Sequence, residues 1–279
     1  MEAESDVDLA TRQALFEQVR RHTGIAMNER KWLMLQGRLR RRLHTLSLTC
    51  FSEYVRLLKD EPGEVPDFVD LVTTNETSFF RTPRIWDYFA NEFLPKRYAA
   101  SPHETLKLWS AAASSGEEAL SAAMLCEEFR ARHPAFRYQI LATDISGAVL
   151  QHAATGQYKG RNALGLRTMH PMLADKYFEV LNDGIAASPA LLAHITFRQH
   201  NLFEPLRGAR AFDFALLRNV LIYFDEAGQQ AVLQRVHDAM AVNAVLVIGE
   251  SESLSRLKTG FTFERPLIYL KQAAHVECA

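Results

Sequence analysis

The sequence predicts a doubly wound, mainly parallel α/β sheet, preceded by a small all-helical domain and interrupted by a small antiparallel β insertion. Three observations carry that expectation. From Leu9 to Val72 apolar residues recur at helical spacing with no strand pattern. From Leu106 onward short apolar runs alternate with helical stretches, as a parallel sheet requires. At the junction, Leu106–Leu125 passes from an apolar run with Trp109, through small residues and Gly116, into an Ala/Leu/Met-rich run. Strand, small-residue loop and helix can bring a nucleotide-like ligand onto a helix N-terminus; the same pattern also makes an ordinary β–α unit.

In chain order, the first helix begins near Leu9 and closes at Thr23-Gly24. Trp32, Leu33, Leu35, Leu39 and Leu43 mark a second. A third covers Phe51 to Leu58 and is broken by Glu61-Pro62-Gly63, and a fourth runs from about Val65 to Val72. A further helix, Trp86 to Tyr98, ends at Ala100-Ser101-Pro102. Strands are then expected at Leu106–Ala112, Tyr138–Ile145, Ile195–Leu202, Phe212–Leu217 and Ala244–Gly249, with Leu267–Leu270 as a last edge strand. Helices fall at Glu117–Ala131, Gly147–Ala154 and Glu226–Met240. Residues 156–194 interrupt the alternation: little periodicity up to Pro171, then an apolar run Lys176–Leu181 that turns at Asn182-Asp183-Gly184, as a hairpin would. The expected division is 1–72 helical, 73–100 a linker and helix contributing to the active site, and 101–279 the sheet domain with its insertion.

With 279 residues, 48% apolar and 23% charged, the chain is long enough for a sizeable core and has the composition of a soluble globular protein. A net charge of −1 argues against a nucleic-acid partner. Cys50, Cys126 and Cys278 are far apart, which fits free thiols in a reducing compartment and neither a disulfide framework nor a metal site. The start, Met1 to Asp6, is acidic and unlike a signal peptide, and the apolar stretch Ala244–Ile248 is too short to span a bilayer. A cytoplasmic monomer is the expectation.

The second helix carries Arg38, Arg40, Arg41 and Arg42, with Glu29 the only acid between Arg20 and Arg42. Two readings are open: a solvated face over apolar surface, or a docking face for an acidic partner, which the local positive field favours.

Open α/β sheets bind ligands beyond the carboxyl ends of their strands. Here Asp144, Asn201 and Arg218-Asn219 stand at the ends of three strands, beside the Gly116 loop. Upstream, Thr73 to Pro83 runs from cap-forming polar residues into Phe79-Phe80-Arg81, too apolar for a linker and suited to placing Arg81. The loop lacks Gly-x-Gly-x-x-Gly, and its helix opens with Glu117 and Glu118, which would repel a diphosphate. A phosphate-free, cationic nucleoside fits instead, and S-adenosylmethionine is one.

These residues together resemble the chemotaxis receptor methyltransferases, the CheR family, over nearly the full chain. The matching blocks are Thr73–Arg81, Ser110–Glu118, Ala142–Ser146, His200–Leu202, Arg218–Asp225 and Gly249–Leu254, with Gly24-Ile25 and Arg38–Leu43 similar to that family's N-terminal domain. The resemblance implies a class I methyltransferase-like fold and S-adenosylmethionine-dependent methyl esterification of glutamates on chemoreceptor helices. It implies cofactor contacts from Asn75, Thr77, Arg81, Glu118, Asp144, Asn201, Leu202, Arg218 and Asn219, and catalytic roles for Arg81 and Tyr223. Glu117 and Glu118 are not distinguished by sequence; Glu118 is taken as the contact. The insertion lies where the family carries a β-subdomain that docks a receptor tail by strand addition. Its turn here has the single glycine Gly184, so receptor contact is assigned to Arg38, Arg40, Arg41 and Arg42.

The chemistry suits the residues. A glutamate is already ionised at neutral pH, so methyl transfer needs alignment in a dry site rather than a general base. Departures from the family pattern are Ala119-Leu120 for a Pro-Tyr pair, Leu217 for a cysteine, and Val242-Asn243-Ala244 for a glycine-rich turn. Two other readings remain: a signalling module that binds S-adenosylmethionine without turnover, and a small-molecule methyltransferase, which leaves the basic helical front end unexplained.

Overall fold

Helical periodicity near the N-terminus does fold as four helices, α1 (Leu9–Thr23), α2 (Trp32–Thr45), α3 (Phe51–Asp60) and α4 (Val65–Val72). The computed structural model describes residues 7–208 and 211–272. The sequence-based statements about Met1–Asp6 and Cys278 lie outside them. Asp8 caps α1, accepting from the Thr11 amide at 2.9 Å, and Gly24 ends it at φ 72°, where a side chain would be strained. The apolar stripes of these helices meet in a core of Leu15, Val19, Trp32, Leu35, Leu39, Tyr54 and Phe68. Among the described residues, those up to Thr74 form a compact unit together with Tyr223–Gly228, and Asn75–Ile222 with the residues from Gln229 onward form the second.

The second unit opens with α5 (Pro83–Tyr88), a π-turn over Phe89–Phe93, and α6 (Leu94–Ala100). The single helix expected over Trp86–Tyr98 is therefore interrupted. Pro95, in the first turn of α6, has no N–H to return to the preceding turn, and the ladder widens just before it.

Then come β1 (Leu106–Ser110), α7 (Glu117–Arg132), β2 (Tyr138–Asp144) and α8 (Gly147–Thr155). The insertion follows: β3 (Gln157–Tyr158), α9 (Gly160–Met169), α10 (Pro171–Tyr177), β4 (Phe178–Leu181), β5 (Gly184–Ala187) and α11 (Pro189–Leu192). The hairpin β4–β5 forms as expected and adds β3, in the order β3-β5-β4. Gly184 is required there, because a Cβ would lie 2.1 Å from the Tyr158 carbonyl oxygen. The two short helices α9 and α10 bury only a few residues each, which is why periodicity did not reveal them.

The chain closes with β6 (Ile195–Gln199), β7 (Phe212–Leu217), α12 (Glu226–Ala239), β8 (Met240–Ile248), β9 (Phe261–Arg265) and β10 (Ile268–Lys271). The seven-stranded sheet runs β6-β2-β1-β7-β8-β10-β9; β10 pairs antiparallel with both neighbours and the other pairings are parallel. Strands β1, β2 and β7 are buried almost throughout, as strands covered on both faces must be. The last strand is not the edge that sequence implied. β10 is interior and partly buried, and the half-exposed β9 takes the edge. The Phe261/Phe263 alternation was its overlooked signal. Within β8, Asn243 adopts φ 62°, in the stretch between Met240 and Val245 where the pairing with β7 shifts register.

Candidate active site at the strand ends

Neighbours β6, β2, β1 and β7 run parallel, so their carboxyl ends line one edge of the sheet. The chain passes from β1 to β2 on one side and returns to β7 on the other, which makes β1 the crossover point where such sheets bind ligands. Backbone bonds tie the loop after β1 to its neighbours: Ala111 N–H to Leu216 O at 2.9 Å and Ala113 N–H to Thr143 O at 2.8 Å. Gly116 turns the loop into α7 at φ 94°. A Cβ there would press against the Ala153 Cβ at 3.0 Å and the Tyr158 hydroxyl at 3.1 Å.

Asp144, at the end of β2, is buried and fixed. Its carboxylate accepts from the Ser114 amide at 2.8 Å and the Ser146 amide at 3.0 Å. Ser114 in turn donates its hydroxyl to the Asn75 carbonyl at 2.8 Å, which joins the segment before α5 to the β1 loop. Asn201, two residues past β6, accepts from the Phe203 amide at 3.0 Å and forms an Asx turn; Leu202 beside it is buried.

Glu118 and Arg218 form a buried ion pair. The Arg218 guanidinium donates to Glu118 at 3.0 Å, to the Arg81 carbonyl at 2.8 Å and to the Thr82 hydroxyl at 2.9 Å. Glu118 also accepts from the Ser110 hydroxyl at 2.7 Å. The two charged side chains are 3% and 10% exposed, so they neutralise each other away from water. Glu117 points elsewhere, accepting from Ser115 and from Asn162 of α9; burial pushes its pKa up. The sequence expectation that both glutamates offer charge to a cation is thus revised. Arg218 cancels Glu118, because the sheet places the end of β7 beside the first turn of α7.

Arg81 itself is exposed. Its guanidinium donates to the Glu76 carbonyl at 3.4 Å, while its backbone oxygen accepts from Arg218 and from the Trp86 indole. Phe80 and Thr82 on either side take left-handed φ of 51° and 66°, a strain held in place by Phe80 N–H bonding to Ser121 and by Thr82 bonding to Arg218. Arg81 and Thr77 line a cavity of about 470 Å³ whose far wall is α9, with Arg161, Leu166 and Met169. Glu76 and Arg161 pair across it at 2.7 Å. Asn219, with φ 57°, follows Arg218.

Of the residues expected from sequence, Asn75, Glu118, Asp144, Asn201, Leu202, Arg218 and Asn219 stand at or just beyond the carboxyl ends of four adjacent strands, and Thr77 and Arg81 border the cavity. Tyr223 closes a 3-10 turn, Leu221–Tyr223, and groups with the helical unit; its carbonyl accepts from the Ala26 amide at 2.9 Å and the Lys31 ammonium lies 5.6 Å from its ring centre. Sequence reasoning passed over Ser110 and Thr82, the partners that fix Glu118 and Arg218. Their only signal was a polar residue at a strand end and one before a proline.

In the helical unit the arginines divide. Arg38 donates to the carbonyls of Leu71, Val72 and Thr73, capping the C-terminus of α4. Arg42 binds Glu64 at 2.6–2.8 Å and also Asp67. Folding therefore brings Arg42 acids that the linear sequence separates and gives Arg38 the carbonyls at the end of α4, so both arginines also tie the helical unit together. Arg40 and Arg41 are exposed.

The donor set fits a nucleoside without phosphates. A fixed carboxylate and two carboxamides stand at the strand ends, and Arg218 there is already neutralised by Glu118. The class of protein is an S-adenosylmethionine-binding methyltransferase. Residues 75–268 match the model described as CheR methyltransferase, SAM binding domain, and residues 11–73 match CheR methyltransferase, all-alpha domain. The chain is 32% identical over 253 residues to Chemotaxis protein methyltransferase Cher2 of Pseudomonas putida, covering 87% of this chain and 91% of that one. It is 36% identical to Chemotaxis protein methyltransferase 2 of Pseudomonas aeruginosa, over 85% and 86%, and 32% identical to the Escherichia coli Chemotaxis protein methyltransferase, over 88% and 85%. The chain belongs to the CheR chemotaxis protein methyltransferase family. Its activity is that of a protein-glutamate O-methyltransferase, with S-adenosylmethionine as methyl donor and chemoreceptors as substrate. Among the described residues no helix is long and apolar enough to cross a membrane.

Proposed function

We propose that the crevice beyond β6, β2, β1 and β7 is the cofactor site, and that Asp144, the fixed acid at the end of β2, is its anchor. The observation that carries this is the Asp144–Ser114–Asn75 chain of hydrogen bonds, which locks three separate segments around one carboxylate. Asp144 accepts from the ribose hydroxyls, and Asn201, Leu202 and Asn219 hold the base and the rest of the nucleoside. S-adenosylmethionine supplies a methyl group on a sulfonium, whose C–S bond pair stays on sulfur when the methyl leaves.

The chain's own residues do the aligning. Glu118 and Arg218 fix the Arg81–Thr82 backbone beside α7, and so place the Arg81 guanidinium at the cavity. There it holds a carboxylate, of cofactor or receptor, by paired charge-assisted hydrogen bonds. Asn75 and Thr77 hold the entry segment of the same cavity. The receptor glutamate arrives ionised, so no side chain has to remove a proton; the residues orient it and exclude water. The second catalytic role, a phenol hydroxyl offered to the incoming carboxylate, is assigned to Tyr223 by its place in the Arg218–Asp225 motif. The exposed Arg40 and Arg41 are the proposed contact for acidic receptor helices. The domain division follows the same reading: 1–72 for receptor contact, 73–100 carrying Arg81 to the site, and 101–279 for the cofactor.

Calorimetric titration with S-adenosylhomocysteine tests the anchor. Asp144→Asn turns a carboxamide N–H₂ toward amide donors and removes the charge, so affinity falls at least about tenfold. Unchanged affinity would sink the assignment.

A further inference from the structure

The block Gly249–Leu254 is one of those that carry the resemblance to the family, yet none of the roles above uses it. After β8 the chain turns back on itself, with the Glu252 amide donating to the Gly249 carbonyl at 3.1 Å, and this directs the Glu252 side chain inward, where the residue is 9% exposed. One carboxylate oxygen accepts from the Gly249 amide at 2.6 Å and from the Asn219 amide at 3.0 Å. The other accepts from the Ile222 amide at 3.4 Å. The carboxylate is thus collared by backbone N–H groups from the ends of two adjacent strands, β7 and β8. No arginine or lysine bonds to it among the described contacts. Burial pushes its pKa up, and the amides of Gly249, Asn219, Ile222 and Leu221 pull it the other way.

Asn219 sits at φ 57°, in the left-handed region that Asn enters more readily than most L-residues. Its amide in that turn is held by the Glu252 carboxylate at 3.0 Å. Gly249 completes the fit, since a Cβ there would lie 2.7 Å from both the Asn219 amide nitrogen and its Nδ2, and 2.8 Å from the Glu252 carboxylate. We infer that Glu252 is a positioning residue of the methyltransferase site: it holds the turn after β7 so that Asn219 faces the cofactor crevice. This rests on the assignment of Asn219 as a cofactor contact.

Binding of S-adenosylhomocysteine to the full chain, measured by calorimetry for Asn219→Ala, Glu252→Gln and the double variant, tests it. In Glu252→Gln the N–H₂ faces amide donors and the collar opens. Each single variant is expected to bind about tenfold more weakly, from the loss of one hydrogen bond to a charged or ligand group. The double variant should bind no worse than the weaker single one, because Glu252 acts through Asn219. Multiplying penalties would overturn the positioning role, as would a Glu252→Gln protein with normal affinity beside a weakened Asn219→Ala. Normal affinity in Asn219→Ala would remove the underlying site assignment, and the inference with it. If Glu252→Gln does not fold, Gly249→Ala decides, since it pushes on the same turn: about tenfold weaker binding supports the role, and unchanged binding in a folded protein overturns it.

Discussion

Replacing Arg218 by alanine should damage both the stability and the binding of the second unit. The Arg218 side chain is 3% exposed and donates three hydrogen bonds, at 3.0, 2.8 and 2.9 Å. Its removal leaves the Glu118 carboxylate, 10% exposed, with Ser110 as its remaining hydrogen-bond donor. Breaking one side of a buried pair of this kind costs about 3–5 kcal/mol, most of it from the stranded charge. For a unit of this size that corresponds to a fall in melting temperature of roughly 10 °C. The companion variant Arg218→Met with Glu118→Gln removes both charges and keeps the volume, so it should recover much of the loss. Differential scanning calorimetry of the three proteins, followed by titration with S-adenosylhomocysteine, separates the effects. The double variant melts close to the parent but binds poorly, because the Arg81–Thr82 backbone has lost its tie. An Arg218→Ala protein that melts within a degree or two of the parent would refute the reasoning.

Two further outcomes concern the helical unit. Burial alone would push Glu64 up, but hydrogen bonds from Arg42 and Tyr54 leave it below its ordinary value of 4.5. A folded-state pKa below the unfolded one contributes stability above pH 4.5 that is lost as pH falls through the lowered value. Thermal melts followed by circular dichroism should show this acid loss in the parent and a flatter profile in Arg42→Ala; equal losses would contradict it. Reversing the exposed pair, as Arg40→Glu with Arg41→Glu, should leave the melting temperature within about 1–2 °C of the parent and weaken binding to receptor cytoplasmic fragments about tenfold. Unchanged binding in a pull-down or titration would remove α2 from the receptor interface.

The order of elements was readable because the signals are periodic. The run Leu9–Val72 gave four helices, and the strand-end residues Asp144, Asn201 and Arg218 were placed by alternation alone. What escaped was whatever depends on long-range pairing. β9 is a half-exposed edge strand, and such strands have weak signatures until a neighbour is known. α9 and α10 bury too little to show a period. In the site, the roles of residue types were visible but their partners were not. Glu118 looked like negative charge offered to a ligand until the sheet brought Arg218 beside it. Arg42 looked like free positive charge until the turn before α4 brought Glu64 and α4 itself brought Asp67. Glu252 was visible as part of a motif, and its collar of amides appears only when the ends of β7 and β8 meet.

If Arg81 holds a carboxylate where methyl transfer takes place, its loss should abolish methylation of receptor glutamates. Incubation with S-adenosylmethionine labelled in the methyl group and with chemoreceptor cytoplasmic fragments tests it most directly. The parent should transfer label to the fragment as an ester released by mild base, and Arg81→Ala, folded and with the same melting temperature, should transfer none above background. Near-normal transfer by Arg81→Ala, or label that survives base, would contradict the account.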